Sequence, residues 1–305
     1  MYEFITFLGD AFVIILIFAT LSLSVNLQYG SSGIFNFGVV AFFMIGAYTS
    51  SFLALTGIPF LLALAVAVIL SGLAGLLISL PALNLRGDFL SLATFMFAEI
   101  IRLLVLNVPS LGGAVGIARV PSAFPSIKVY SNLVAANIAL SLVVFLVFCV
   151  VYSAMMSSPY GRVLKCIREN EVLAESLGKN TFRYKAQVFV IGSIMAGTAG
   201  AVYSQYLGFA GTELFTYSVT FTVYIMSIIG GSTTRLGALL GSFIYLSIQD
   251  LLRIAKNWIT IPVDPNNLAF ILFGFATMLI LYYRPEGIIR EKLRQVRVTN
   301  GNLGA

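Results

Sequence analysis

Apolar residues along this 305-residue chain fall into long blocks separated by short polar or glycine-rich segments. Seven blocks meet or approach the roughly 20 residues that a helix needs to cross the hydrocarbon core of a bilayer. They are 11–29, 34–55, 60–80, 88–107, 133–153, 186–207 and 267–283. Two shorter blocks, 217–229 and 236–252, are separated by a polar, glycine-rich stretch and predict shortened or re-entrant helices. The pattern therefore predicts an all-α, polytopic transmembrane helical bundle with about nine membrane segments.

Small residues recur at helical spacing inside three of these blocks. They are Ala63, Ala67, Ser71, Gly75 and Ser79, then Gly192, Ala196, Gly200 and Ser204, and finally Gly237 and Gly241. Small side chains four residues apart let the backbones of two helices approach closely, which favours helix association inside lipid. We therefore expect a closely packed bundle rather than separate anchors.

The composition agrees with a membrane protein and narrows the chemistry. Hydrophobic residues make up 59% of the chain and charged residues 10%, whereas a soluble domain has about 25% charged residues. There is no histidine, and the two cysteines, Cys149 and Cys166, are far apart in the sequence. Histidine-dependent catalysis and a cysteine- or histidine-rich metal site are thereby excluded, and we expect no catalytic residues and no metal site.

The positive charges predict the orientation of the chain. If the polar segment 157–185 is cytoplasmic, thirteen Lys and Arg residues lie inside and four outside, which is a clear positive-inside bias. The inside group is Arg86, Arg162, Lys165, Arg168, Lys179, Arg183, Lys185, Arg235, Arg284, Arg290, Lys292, Arg294 and Arg297, and the outside group is Arg119, Lys128, Arg253 and Lys256. Nine crossings then put the N-terminus outside and the C-terminus in the cytoplasm. Because the charges follow this topology, the net charge of +6 does not indicate nucleic-acid binding.

The segment 157–185 has its own helix signals. Ser158 and Pro159 are typical of a helix start, and Gly178 is typical of a helix end. Between them, Val163, Leu164, Ile167, Ala174 and Leu177 can share one broad face. We expect one or two short amphipathic helices. They form either a connector on the bilayer surface or a docking element for a cytoplasmic partner.

Several polar side chains fall inside the predicted spans. Glu99 and Arg102 are three residues apart, so they share a helix face and can form an ion pair. Either the pair orients its helix, or it lines a pathway and contacts the charged ends of an amino acid, or it relays protons. Asn26 and Thr94 either border the same pathway or tie helices together.

Seven blocks, in order, resemble the LivM-type permeases, the membrane subunits of ATP-binding-cassette (ABC) importers for branched-chain amino acids and related amides or urea. The blocks are LSLSVNLQYGSSGIFNFGVVAFFMIGAYTS, LNLRGDFLSLATFMFAEIIRLL, LGGAVGI, GRVLKCIRENEVLAESLGKNTFRYK, FVIGSIMAGTAGAVY, IIGGSTTRLGALLGS and YYRPEGII. The resemblance covers roughly residues 20–290. Two turns depart from the family pattern. Val172 and Leu173 replace the first two residues of a Glu-Ala-Ala-x-x-x-Gly motif, and Gly230-Gly231-Ser232-Thr233 replaces Gly-Gly-x-Gly.

The resemblance implies the fold of an ABC importer permease, with one permease domain over 1–290 and a cytoplasmic tail over 291–305. It implies a multi-pass protein of a prokaryotic plasma (inner) membrane whose cargo is a branched-chain amino acid or a related small amide or urea. The implied partners are a LivH-type permease subunit in a heterodimer, two cytoplasmic ABC ATPase subunits and an extracytoplasmic substrate-binding protein. The residues implied to couple the ATPases to the bundle are Arg162, Arg168, Glu169, Asn170, Ala174 and Gly178.

The chain contains no GxxxxGK[ST] phosphate-binding loop. We therefore expect it to bind no cofactor itself and to be no enzyme, with ATP and Mg used by the partner ATPases. The candidate residues of the pathway are Asn26, Thr94, Glu99 and Arg102. The main alternative is an ion-coupled secondary transporter that uses the pair Glu99 and Arg102. A scaffold or channel also remains open, whereas a membrane-embedded enzyme lacks any catalytic cluster.

Overall fold

A computed structural model describes residues 2–85, 87–125, 127, 129–256, 265–284 and 287–289. Within these residues the chain forms eleven α-helices. They are α1 (Tyr2–Val25), α2 (Val39–Leu55), α3 (Phe60–Ala82), α4 (Asp88–Asn107), α5 (Tyr130–Ser157), α6 (Pro159–Glu169), α7 (Glu171–Ser176), α8 (Thr181–Leu207), α9 (Tyr217–Gly230), α10 (Arg235–Lys256) and α11 (Pro265–Tyr283). Arg86, Lys128, Arg290 and the predicted tail 291–305, with Lys292, Arg294 and Arg297, lie outside the described residues.

Six helices in the described part of the chain are long and apolar enough to cross a membrane, and three shorter apolar helices accompany them. The predicted polytopic helical bundle is thus confirmed. The block 236–252 differs from its prediction as a shortened helix. It belongs to the 22-residue helix α10, which continues past the apolar run through the polar residues around Arg253.

The block 34–55 also differs, because its helix begins only at Val39. After α1 the backbone forms a π-helical turn, Asn26–Gly30, and from Gly33 to Gly38 it is not helical. We call residues 26–38 the break. Gly33 takes a left-handed conformation with φ of +72°, which suits glycine. The side chain of Asn36 accepts a hydrogen bond of 2.9 Å from the backbone N–H of Gly38 and holds the entry to α2.

Small residues bring α2 and α8 into close contact at the centre of the bundle. A Cβ atom at Gly46 would lie 1.9 Å from the carbonyl oxygen of Gly197, and one at Gly200 would lie 1.8 Å from the carbonyl oxygen of Phe43. The predicted small-residue positions of α3 and α8 are all buried. Their spacing therefore serves helix packing, as expected.

The two ends of the bundle can be told apart by the loops they carry. At one end, which we call the near end, α6 and α7 connect α5 to α8. At the other, which we call the far end, strand β1 (Ile117–Ala118) pairs antiparallel with β2 (Phe209–Ala210). The carboxylate of Asp10 accepts hydrogen bonds from Tyr130 at 2.9 Å and Tyr206 at 2.7 Å, so α1 starts toward the far end.

The chain returns to the near end after α11. There the backbone N–H groups of Ile288 and Ile289 donate to the carbonyl oxygens of Ile229 and Gly230, at 3.0 and 3.1 Å. The first helix thus starts from one end of the bundle and the last described residues lie at the other, as an odd number of crossings requires.

Candidate functional site

The segment 157–185 contains the two short helices α6 and α7, within the one or two that the sequence predicted. Helix α6 begins at Pro159 directly after Ser158, although the Ser158 hydroxyl donates backward to the carbonyl of Met155 at 2.7 Å instead of capping α6. Asn170 separates the helices and caps α7, because its side-chain oxygen accepts a hydrogen bond of 3.0 Å from the N–H of Leu173.

Helix α7 ends in a Schellman motif. The N–H of Gly178 donates to the carbonyl of Glu175 at 2.8 Å, and the N–H of Lys179 donates to the carbonyl of Ala174 at 3.1 Å. Gly178 has a φ of +75°, the left-handed conformation that this motif requires and glycine adopts without strain. The predicted helix end at Gly178 is therefore confirmed, and the left-handed backbone conformation of this residue explains it.

One side of the segment is attached to the bundle. Leu164, Ile167 and Ala174 are buried. The guanidinium of Arg168 donates a hydrogen bond of 2.5 Å to the carbonyl oxygen of Gly30 in the break. The ammonium of Lys185 on α8 lies 2.5 Å from the carboxylate of Glu171. These contacts hold α6 and α7 in a defined position beneath the bundle.

Tyr160 adds a further attachment at the start of α6. Its ring lies 5.1 Å from the ring of Tyr184, and its hydroxyl donates to the carbonyl oxygen of Tyr184 at 3.2 Å. Burial, together with the neighbouring Tyr184, raises the pKa of Tyr160 to about 12. The phenol therefore keeps the proton that it donates.

The other side of the segment is apolar and exposed. The exposed fractions of Val172, Leu173 and Leu177 are 70%, 53% and 66%. We call these three residues the α7 knob. The sequence predicted that Leu177 shares one face with Leu164. This was wrong, because the interruption at Asn170 changes the helical phase between α6 and α7, so that Leu164 is buried and Leu177 is exposed. The residue types at 172 and 173, which depart from the family motif, were the signal that could have revealed the knob.

The predicted coupling residues therefore divide into two groups. Arg168 contacts the bundle and Ala174 is buried, whereas Arg162, Glu169, Asn170 and Gly178 are exposed at the near end. The role of these six residues in coupling stays a prediction.

Asn26 ties the break to the turn between α9 and α10. Its side-chain N–H group donates hydrogen bonds to the carbonyl oxygens of Gly231 at 3.2 Å and Thr234 at 2.8 Å. Its side-chain oxygen accepts a hydrogen bond of 2.5 Å from the hydroxyl of Ser227. The side chain is fully buried. This geometry favours the interpretation of Asn26 as a tie between helices over a place on a pathway.

Thr94 fixes the other end of the break. The hydroxyl of this buried residue accepts a hydrogen bond of 3.1 Å from the N–H of Phe37 and donates to the carbonyl of Leu90 at 3.0 Å. The carbonyl oxygen of Asn36, the residue before Phe37, accepts a hydrogen bond of 3.0 Å from the Tyr224 hydroxyl. Asn26 and Thr94 thus do not meet each other, but both hold the same short stretch of backbone that Arg168 contacts.

Glu99 and Arg102 form a bidentate ion pair within α4. The distances are 2.5 Å from Nη2 of Arg102 to Oε1 of Glu99 and 3.0 Å from Nε to Oε2. The exposed fractions of the two side chains are 31% for Glu99 and 22% for Arg102. A charge facing lipid at the centre of a span costs about 2.5–3.5 kcal/mol on insertion scales, so this partly open face of α4 is poorly suited to contact lipid.

Comparison with known proteins agrees with the resemblance in the sequence. Residues 7–281 match the family model described as branched-chain amino acid transport system / permease component. The chain is 28% identical, over 96% of its length and 72% of the relative's, to the high-affinity branched-chain amino acid transport system permease protein LivM of Escherichia coli (strain K12). It is 31% identical to the probable branched-chain amino acid transport permease protein LivM of Methanocaldococcus jannaschii, covering 89% of this chain and 90% of that one.

A relative with a different name also matches. The probable branched-chain amino acid transport permease protein LivH of M. jannaschii is 23% identical over 92% of this chain and 91% of its own. No solved structure matches the chain significantly.

Proposed function

The chain belongs to the family of branched-chain amino acid transport permease components, and from this we propose that it is the transmembrane permease subunit of an ABC importer. It does no chemistry itself and forms part of the route by which a branched-chain amino acid, or a related small amide or urea, crosses the membrane. The single observation that carries the proposal is the ordered segment α6–α7, which is fastened to the bundle on one side and presents an apolar surface on the other. Nothing supports the ion-coupled alternative.

The α7 knob is the proposed docking surface for a cytoplasmic ATPase. Two leucines and a valine exposed on a charged segment outside the membrane spans lose contact with water when a partner covers them, which favours association. The exposed Arg162 and Glu169 lie on the neighbouring helix and supply polar contacts at the rim. ATP and Mg are bound by the ATPase subunits, two of which serve the two permease subunits.

The second permease subunit covers the open face of α4. The pair Glu99 and Arg102 is only partly shielded by this chain, and a related subunit packed against α4 would remove it from lipid. Since the chain is similar to relatives named both LivM and LivH, a LivH-type chain of similar fold is the proposed partner. The pathway then lies between the two subunits, with Glu99 and Arg102 facing it.

The near end is the cytoplasmic end in this proposal. Described cations of the near end include Arg162, Arg168, Lys185 and Arg235, and the positive-inside rule puts such a cluster in the cytoplasm. The N-terminus then lies outside and the tail inside the plasma (inner) membrane of a prokaryote. The far end, with β1 and β2, receives cargo from an extracytoplasmic substrate-binding protein.

The mechanism is alternating access driven by the ATPases. Closure of the ATPase dimer moves α6 and α7, and Arg168 transmits this motion to the break through Gly30. Because Thr94 and Tyr224 hold the following residues of the break, the displacement changes the packing of α2 against α4 and α9. Two discrete packings of these helices, one open to each side, are what such a switch requires.

The proposal is tested with the assembled complex in proteoliposomes. Uptake of radiolabelled leucine should require ATP, should stop with vanadate, and should continue when a protonophore abolishes the pH gradient. Uptake that persists with vanadate and collapses with the protonophore would establish ion coupling and overturn the proposal.

A further inference from the structure

A cleft lined by phenylalanine side chains opens on the face of α4. Its volume is about 590 Å³, and it is lined by Phe35, Phe37, Phe89, Phe95 and Phe221. It lies toward the near end, because Asp88 at the first turn of α4 also lines it. Phe35 is two residues from Gly33, whose backbone lies against the side chain of Arg168.

A second cavity continues from this cleft toward Glu99 but is almost closed. Phe37 and Phe95 line both cavities, and the second is otherwise bordered by residues such as Glu99 and Tyr217. Its volume is only about 10 Å³, which is hardly enough for one water molecule. Phe37 and Phe95 therefore form the constriction between an open chamber and the ion pair Glu99–Arg102.

The backbone of Phe37 is held in place at both of its polar groups. Its N–H donates a hydrogen bond of 3.1 Å to the hydroxyl of Thr94, and its carbonyl oxygen accepts a hydrogen bond of 3.3 Å from the hydroxyl of Thr220. Its ring lies 5.7 Å from that of Phe221 and 4.9 Å from that of Tyr224. A side chain fixed this way can act as a barrier with a defined position.

Phe95 projects from the neighbouring helix and completes the barrier. Its ring lies 6.3 Å from the ring of Tyr217 on α9, and Tyr217 in turn lies 6.4 Å from Phe221. The chain of rings thus runs from α4 through α9 to the break. A movement of the break displaces Phe37 relative to Phe95 and changes the width of the constriction.

From this arrangement, which rests on the proposed function, we infer that the phenylalanine-lined cleft is the cytoplasm-side chamber for the cargo and that Phe37 and Phe95 are its gate. The chamber suits an amino acid with an uncharged, apolar side chain, since phenyl rings offer dispersion contacts and no counter-charge. Asp88 and Ser91 at the wall of the chamber supply acceptors for the ammonium group. The size of the gate would then set the largest side chain that passes.

Thiol labelling tests the barrier independently of transport. The chain has only two cysteines, so a background with Cys149→Ala and Cys166→Ser is simple to prepare. In the assembled complex without nucleotide, a small water-soluble methanethiosulfonate should modify Ser91→Cys, which lies in the chamber, and leave Ala98→Cys, beyond the constriction, unmodified. Adding Phe95→Ala should make Ala98→Cys reactive. Equal labelling of Ser91→Cys and Ala98→Cys with Phe95 intact would refute the gate.

Uptake measurements test the selectivity of the same residues. Phe95→Ala should raise the ratio of phenylalanine to leucine uptake about tenfold, the scale at which pocket size discriminates apolar groups. Phe95→Leu, which keeps a large apolar side chain, should change it much less. Phe275→Ala, which replaces an exposed phenylalanine on α11 that lines neither cavity, is the matched control and should leave the ratio unchanged. Unchanged selectivity in an actively transporting Phe95→Ala complex refutes the inference alone. A wild-type complex that takes up no branched-chain amino acid, amide or urea in the presence of ATP refutes the proposed function.

Discussion

Arg168 and Gly30, 138 residues apart in the chain, are joined by a hydrogen bond of 2.5 Å from the guanidinium to the carbonyl oxygen. The side chain of Arg168 also lies against Gly33, where a Cβ atom would be 3.4 Å from its Cγ. Helix α6 is thereby linked to the stretch of backbone that carries Phe37. This link and the ion pair of Glu171 with Lys185 are two described routes from the exposed α7 knob to the bundle.

Replacing Arg168 should separate ATP hydrolysis from transport. A hydrogen bond to a charged group contributes about 1.5–3 kcal/mol, so Arg168→Gln should weaken the link, and Arg168→Glu should oppose it by placing a carboxylate at a carbonyl oxygen. We expect ATP hydrolysis by the complex to continue while leucine uptake per ATP falls several-fold, more in Arg168→Glu. Both rates are measured on the same proteoliposomes.

Arg183→Gln is the matched control for this experiment, because Arg183 is an exposed arginine of the near end, on α8, and is not one of the predicted coupling residues. It should leave the ratio of uptake to hydrolysis near the wild-type value. If the Arg168 variants kept that ratio as well, the segment would be a connector and not a coupling element.

The α7 knob should bind the ATPase without supporting the fold of the permease. Because Val172 and Leu173 are exposed, the double change Val172→Ser and Leu173→Ser should hardly affect the thermal stability of the purified permease. The ATPase subunits should nevertheless be lost during affinity purification of the complex. Lys179→Ser, an exposed change on the same segment, should retain them. Full retention by the double variant would exclude the knob as the docking surface.

Replacing Gly178 with a residue that has a side chain should destabilise α7, and the size of that side chain should matter little. A non-glycine residue in the left-handed conformation costs roughly 1–2 kcal/mol, and a Cβ atom at Gly178 would meet nothing within 4 Å. In the isolated permease, Gly178→Ala and Gly178→Leu should therefore lower the protection of α7 in hydrogen exchange to a similar degree, with the bundle unchanged. Gly178→Asn should be milder, since asparagine tolerates this conformation.

Uptake by the assembled complex provides a second test of the same variants. If the ATPase covers Gly178, uptake should fall further in Gly178→Leu than in Gly178→Ala, because only the larger side chain reaches the partner. Wild-type protection of α7 in both variants would contradict the structural role of the Schellman motif.

Local patterns predicted the spans, because an apolar run and its caps are properties of neighbouring residues. The extension of the break from residue 34 to Gly38 was missed because Ile34, Phe35 and Phe37 are as apolar as the helix that follows. Only contacts with distant residues such as Thr94 reveal that the backbone is not helical there. The exposure of Leu177 was missed for a related reason, since one capping asparagine changed the phase of the helix. The partner of Arg168 and the gate depend on contacts between remote segments, which one sequence does not encode in its periodicity.

The ion pair of α4 distinguishes the proposed mechanism from ion coupling. Glu99→Gln leaves Arg102 without its carboxylate inside a span, which costs up to about 2.5–3.5 kcal/mol on insertion scales, and Arg102→Gln leaves Glu99 equally exposed. Each single variant should therefore reduce the yield and thermal stability of the assembled complex. The double variant Glu99→Gln with Arg102→Gln should recover both, because no uncompensated charge remains. In every variant that assembles, leucine uptake should stay insensitive to a protonophore. A Glu99→Gln complex of normal yield, whose uptake loses a proton dependence that the wild type possesses, would instead assign the carboxylate to proton transfer.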